Sequence, residues 1–165
     1  MSREIEQLDD QGMAAWDGHD VDAFIALFAA DFVWTDLTLP EPMRTKDQAR
    51  QYMQAWFTAF PDMRIKQTNR VVSDDAAAAE VEFTGTNSGP MMMAGNEIPP
   101  TGKSVVAKGG YFARVADGKI VQFSSHPDVA GLMMQLGLMS GAWREATGLV
   151  VVLVSARTQD GEPSG

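Results

Sequence analysis

The spacing of hydrophobic residues changes once along this chain, near residue 63. Before that point apolar positions recur with a helical period. Ile5, Leu8, Met13 and Trp16 follow one helical face, and Gly18 closes the segment. Asp20 stands where an N-cap belongs, ahead of Val21, Phe24, Ile25 and Phe28 at i, i+3, i+4 and i+7, which predicts a short second helix. After Asp31 the run Phe32-Val33-Trp34-Thr35 favours a short strand, followed by the loop Leu39-Pro40-Glu41-Pro42. Thr45 and Gln48 have capping-box spacing, so each can satisfy a free backbone amide of a third helix. That helix carries Ala49, Tyr52, Met53, Trp56 and Phe60, and Pro61 stops it.

Beyond residue 63 the period is two. Met63 to Val72 reads as a strand and Ser73-Asp74-Asp75 as a turn. Ala79, Val81 and Phe83 then alternate with Glu80, Glu82 and Thr84, giving one buried and one wet face. Ala76 to Ala79 is a poor strand former, so the start of this strand is open. Residues 89 to 102, with three prolines and Met91-Met92-Met93, predict a long loop. Strands over Ser104 to Val115 and Lys119 to Ser125 meet across Asp117-Gly118, a pair suited to the positive φ of a type I′ turn. Regular pairing from that turn sets Val115 against Ile120, Ala113 against Gln122 and Tyr111 against Ser124. Val129, Leu132, Met133 and Leu136 form a last helix ended by Gly137. The expected division is one domain over 1–140 and an extension over 141–165, in which Leu149 to Val154 reads as an extra strand and 158–165 as a frayed tail. Helices segregated from an antiparallel sheet make the fold α+β.

Composition narrows the function. The 165 residues are 45% hydrophobic and 21% charged, enough for a packed core. Thirteen basic against twenty-two acidic residues leave a net charge of −9, with no basic patch for nucleic acid or an anionic membrane surface. The chain has no cysteine and two histidines, His19 and His126, which removes disulfides, thiolate metal sites and cysteine nucleophiles. No metal site is expected at Glu80 and Glu82 either, and no phosphate-binding or dinucleotide-binding glycine motif is present. The opening MSREIEQLDD lacks a signal peptide's apolar core and no run reaches membrane-spanning length, so a cytoplasmic protein is expected.

Several strings in the chain form a recognisable set. Gly18-His19-Asp20-Val21-Asp22, Phe60-Pro61-Asp62, Thr84-Gly85-Thr86-Asn87-Ser88-Gly89 and Pro100-Thr101-Gly102 are followed by Gly118-Lys119-Ile120-Val121, Asp128, Gly131-Leu132 and Gln135-Leu136-Gly137-Leu138. In this order, over roughly residues 5 to 139, the chain resembles SnoaL-like polyketide cyclases of the nuclear transport factor 2-like (cystatin-like) superfamily. The resemblance implies a cone: a strongly curved antiparallel or mixed sheet wrapped around N-terminal helices, with a deep apolar pocket. It also implies cofactor-free, intramolecular aldol-type closure of a polyketide ester, with an aspartate on the last strand as general acid/base. The matching position is Asp128, with His126 two residues before it. Where the family's glycine-threonine motif often continues with histidine, this chain has Asn87.

Each candidate has a plainer reading beside the functional one. Asp128 stands one residue before an apolar helical run, where an aspartate caps free amides for about 0.5–2 kcal/mol. His126 would share a strand face with Asp128 and assist it, or else sit idle at a strand end. Tyr111, Gln122 and Ser124 would share that face and line the pocket, Tyr111 otherwise being core. Asn87 would donate to an enolate oxygen, or serve as turn chemistry beside Ser88-Gly89. Trp34 and Trp56 would be core and pocket wall together. Asp36, on the Trp34 face, would be a second pocket carboxylate or a solvated strand end. Met91-Met92-Met93 would be a lid or a subunit contact, and His19 a surface residue. Phe112, Val121 and Phe123 would lie on the outer sheet face and draw together a homodimer. The reading that results is a cofactor-independent enzyme acting on a hydrophobic carbonyl compound. Its alternatives are a hydrolase or isomerase on the same cone, or a dimeric small-ligand-binding module without chemistry.

Overall fold

The computed structural model describes residues 2–93 and 96–139. Three helices come first, α1 (Ser2–Asp17), α2 (Val21–Ala26) and α3 (Lys46–Ala59), with strand β1 (Phe28–Asp36) between the second and third. Strands β2 (Arg64–Val72) and β3 (Ala76–Thr86) follow, then the short pair β4 (Met91–Met93) and β5 (Asn96–Ile98). Strands β6 (Ser104–Ala116) and β7 (Lys119–Pro127) and helix α4 (Val129–Leu136) complete the order. The main sheet runs β1-β7-β6-β3-β2, parallel only between β1 and β7, so it is a mixed sheet with the helices on one side. Among the described residues no helix is long and apolar enough to cross a membrane.

The caps fall where the side chains demand them. Asp20 accepts from the Ala23 amide at 2.9 Å. Thr45 and Gln48 exchange both bonds of a capping box, at 3.2 and 3.1 Å. Asp117 and Gly118 adopt the positive φ values of the predicted turn, and Gly137 ends α4 at φ +74°. The core fills the space between the helices and the concave sheet face. Trp34, 1% exposed, has the rings of Phe24, Phe28, Tyr52 and Phe123 around it at 5.2–5.7 Å, and each such pair is worth about 0.5–1.5 kcal/mol beyond its burial.

Several expectations are corrected. Phe28 opens β1 instead of continuing α2, because the helix stops at Ala26. The alanines at 76–79 do form strand, paired with Arg114 to Tyr111 of β6, and Ala77 and Ala79 are buried. Part of the loop over 89–102 is the β4–β5 hairpin. His19 is half-buried, its Nε2 donating to the Met63 carbonyl at 2.8 Å and its ring stacked on Phe57 at 4.2 Å.

The largest correction concerns the β6–β7 register. Val115 faces Ile120 as expected, but the next pair is Arg114 with Gln122, so Val121 is an extra, bulged residue. From there Ala113 faces Phe123 and Tyr111 faces Ser125. Phe123 and Ser125 therefore turn to the concave side, while Gln122 and Ser124 join Phe112 on the convex side. Of the three apolar residues expected outside, Phe123 is 8% exposed and Phe112 61% exposed, which removes part of the basis for a dimer through this face. The predicted strand over 149–154, and the extension as a whole, lie outside the described residues.

Candidate functional site

An apolar cavity of about 120 Å³ lies between the helices and the concave sheet face. It exists because the sequence places small residues where a packed core would need large ones. Gly12 of α1, Ala77 of β3, and Gly109, Gly110 and Ala113 of β6 all border it. Leu8, Met13, Trp16, Ile65, Val81 and Phe83 supply apolar walls. Two carboxylates interrupt this surface, Asp36 and Asp9.

Asp36 ends β1 and is 5% exposed. The parallel register sets it beside Ser125 of β7. Its Oδ2 accepts from the Tyr52 hydroxyl at 2.8 Å and from the Ser125 hydroxyl, while Oδ1 accepts from the Thr38 amide at 2.8 Å and from the Thr38 hydroxyl. Ser125 in turn accepts the Trp34 indole N–H at 2.9 Å. Among the described residues no cation pairs with Asp36. Burial, followed by the negative charge of Asp36, pushes the Tyr52 phenol far above the usual tyrosine range.

Asp9, on the inner face of α1, is 6% exposed. Its Oδ1 accepts from the Tyr111 hydroxyl at 2.5 Å, and its Oδ2 from Gln67 Nε2 at 2.7 Å and Arg70 Nη1 at 3.3 Å. Gln67 also donates to the Tyr111 oxygen at 2.5 Å. Burial, then the hydrogen bond to Asp9, pushes the Tyr111 phenol upward as well.

Of the residues expected at the site, Trp34, Asp36, Trp56 and Tyr111 line the cavity together. Asn87, Gln122, Ser124 and Asp128 lie away from it, and His126 reaches only its rim. Asp128 is exposed and accepts from the Gly131 amide at 2.9 Å, as the N-cap of α4. His126 borders the rim, but its imidazole points to the convex side, 3.2 Å from Ser124 Oγ and edge-on to Phe112. Gln122 and Ser124 lie on that convex side because of the bulge. Asn87 is fully buried outside the cavity: Nδ2 donates to the carbonyls of Ala59 and Gly89, and Oδ1 accepts from the Thr101 amide and hydroxyl. Its side chain thus ties its own loop to the end of α3 through Ala59 and to the segment before β6 through Thr101.

Asp9, Tyr52 and Ser125 are the site residues that sequence reading missed. Asp9 did carry a signal, since it lies four residues after Ile5 and three before Gly12 on the apolar face of α1. Tyr52 carried a weaker one, because it precedes Trp56 by one helical turn. Tyr52 and Trp56 also border a second, outer groove of about 1010 Å³ with Leu37, Met91 and Met92. They are thus the partition between groove and cavity. Among the described residues no three histidine, aspartate or glutamate side chains converge as metal ligands.

A model of the SnoaL-like domain matches residues 10–123. The chain belongs to the SnoaL-like domain family. The match begins inside α1 and ends at Phe123, so the SnoaL-like region includes Asp36 and Tyr52 but stops short of His126 and Asp128. No curated protein matches the chain. Solved structures agree on the fold. AclR from Streptomyces galilaeus, provisionally described as a hydroxylase, is 22% identical with a TM-score of 0.75, covering 96% of this chain and 98% of its own. IdmH from Streptomyces antibioticus, provisionally described as a polyketide cyclase, is 24% identical with a TM-score of 0.66, covering 80% and 97%. A Catenulispora acidiphila protein with a ketosteroid isomerase-like fold, solved with trimethylamine, is 17% identical with a TM-score of 0.65, covering 80% and 93%. The SnoaL-like chain therefore has the nuclear transport factor 2-like, ketosteroid isomerase-like fold, as an open curved sheet and not a closed barrel.

Proposed function

We propose that this SnoaL-like protein is a general acid/base enzyme acting on a hydrophobic carbonyl compound, in an aldol-type ring closure, with Asp36 as the proton acceptor. The observation that carries this reading is the setting of Asp36: a buried carboxylate on an apolar cavity, held by hydroxyl and amide donors and, among the described residues, by no cation. Such a group can take a proton without breaking an ion pair. The provisional description of IdmH as a polyketide cyclase supports the reaction class.

A substrate carbonyl oxygen set against Tyr52 and Ser125 would receive the hydrogen bonds that these hydroxyls now give to Asp36. Asp36 Oδ2, released from them, takes the proton from the adjacent carbon. The C–H electron pair becomes an enolate, which attacks a second carbonyl carbon of the same molecule and forms the new C–C bond. The alkoxide so produced takes the proton back from Asp36, and protons and charge balance. At about 120 Å³ the cavity is of the order of the roughly 150 Å³ that holds benzene, so it takes about one ring. It suits the reacting end of the substrate, and the groove beyond Tyr52 and Trp56 suits the remainder.

The test is exchange of the methyl protons of acetophenone in D2O, followed by NMR, which reports proton abstraction before any natural substrate is known. The wild-type protein is expected to accelerate exchange. Asp36→Asn, nearly identical in shape, is expected to lose about 10²–10⁴-fold. Equal rates in the two proteins would remove Asp36 from the reaction. Binding of acetophenone with no exchange above buffer would favour a ligand-binding module.

A further inference from the structure

The proton-transfer mechanism leaves one polar end of the cavity without a task. Asp9, Tyr111, Gln67 and Arg70 form a buried network whose inner members, Asp9 and Tyr111, border the cavity, while Gln67 and Arg70 stand behind them. Sheet register fixes where this end lies. Asp36, Ser125 and Tyr111 are successive partners across β1, β7 and β6, so the backbones of Asp36 and Tyr111 are two strand spacings apart, about 10 Å. Phe123 and Trp34 cover the ground between the two phenols: Tyr111 stacks on Phe123 at 5.3 Å, Phe123 meets Trp34 at 5.2 Å, and Trp34 meets Tyr52 at 5.2 Å.

Counting donors and acceptors shows what the far end can bind. The Tyr111 hydroxyl spends its only proton on Asp9 and one lone pair on Gln67. Asp9 holds that proton direction firmly, since a carboxylate only accepts and its other oxygen is already bonded to Gln67 and Arg70. One lone pair of the Tyr111 oxygen is left. It can accept a hydrogen bond, and it has no proton to give.

We infer that the Tyr111–Asp9 end of the cavity is a hydroxyl-binding subsite, so the substrate is a hydroxylated carbonyl compound. Its carbonyl lies at Asp36 and Tyr52, and its hydroxyl donates to the Tyr111 oxygen across a flat, one-ring-sized body. The inference rests on the reading of this cavity as the substrate site. It adds the direction of binding and the substituent that selects the ligand. A carbonyl or ether oxygen at the same place would meet the lone pair of Tyr111 and be rejected.

Calorimetric titration of the full chain with acetophenone, 4′-hydroxyacetophenone and 4′-methoxyacetophenone tests it. The hydroxyl compound is expected to bind about tenfold tighter than acetophenone, the value of one good hydrogen bond, and the methoxy compound no tighter. In Tyr111→Phe the hydroxyl preference is expected to fall to near one. Should that variant fail to fold, the hydroxy-against-methoxy comparison in the wild type still decides. Equal affinity for the three compounds, or a preference that survives in Tyr111→Phe, overturns the subsite while leaving the proton-transfer site standing. If none of the three binds, the cavity is not the substrate site and both readings fall.

Discussion

Asp36 and Asp9 border the same cavity and are equally withdrawn from water, at 5% and 6% exposure, yet they are held in opposite ways. Asp9 has a guanidinium behind it, and Arg70 also reaches Asp10 at 2.5 Å. Among the described residues Asp36 has only hydroxyls and a backbone amide. A paired carboxylate is costly to disturb, because moving its proton or its partner leaves a charge stranded in a medium that screens poorly. A carboxylate held by hydroxyls can exchange those hydrogen bonds for others at little net cost. The first arrangement suits an anchor and the second suits a group that must change state. Burial alone would have ranked the two as equals.

The comparison breaks most visibly at Arg70. Arg70→Met should cost about 2–3 kcal/mol in urea unfolding, because Asp9 would keep its burial and lose its charge partner. Adding Asp9→Asn to the same chain should recover most of that loss. If Arg70→Met unfolds at the wild-type midpoint, Asp9 does not depend on its cation and the contrast with Asp36 disappears. A smaller effect supplies a reference point outside the cavity. Asp128→Ala removes the α4 cap and should cost about 1 kcal/mol, whereas Asp128→Asn should stay near the wild type in thermal melts. Neither is expected to alter acetophenone exchange, and a large loss in Asp128→Asn would return the chemistry to the end of β7. The smallest effect is read by pH. The Arg64 guanidinium and the Ile65 amide lower the Asp17 carboxyl from 3.8 to about 2, so the stabilisation it provides is complete above pH 4 and fades as the pH falls through 2. Asp17→Asn should therefore narrow its stability gap to the wild type in acid melts near pH 2 and show the full gap at pH 5. A gap that does not change with pH would mean that Asp17 acts through packing instead of charge.

The sequence revealed the architecture more readily than the site, and the reasons are local. Caps and turns are written in adjacent residues: Asp20, the Thr45–Gln48 box, Asp117-Gly118 and Gly137 each act within a few positions of themselves. The site depends on parity along β7, and Val121 altered it. As one β-branched residue among strand formers, a bulged valine resembles a paired one, so counting from the turn placed Gln122 and Ser124 where Phe123 and Ser125 belong. Asp36 was found because it follows Trp34 by two on the same strand. Asp9 is hard to single out in the sequence because Asp10 stands beside it and only Asp10 faces water. The strongest motif resemblance pointed at Asp128, where helix capping already accounts for an aspartate.

Tyr52 borders the cavity on one side and the outer groove on the other, and at rest its hydroxyl holds Asp36. Any route between the two spaces that displaces Tyr52 must also break that hydrogen bond. In the proposed reaction, admission past Tyr52 and release of Asp36 would then be one event, with one side chain serving as both latch and safety catch. With the latch shut, Asp36 keeps all its donors. With it open, the carboxylate is uncovered at the moment when a ligand can arrive.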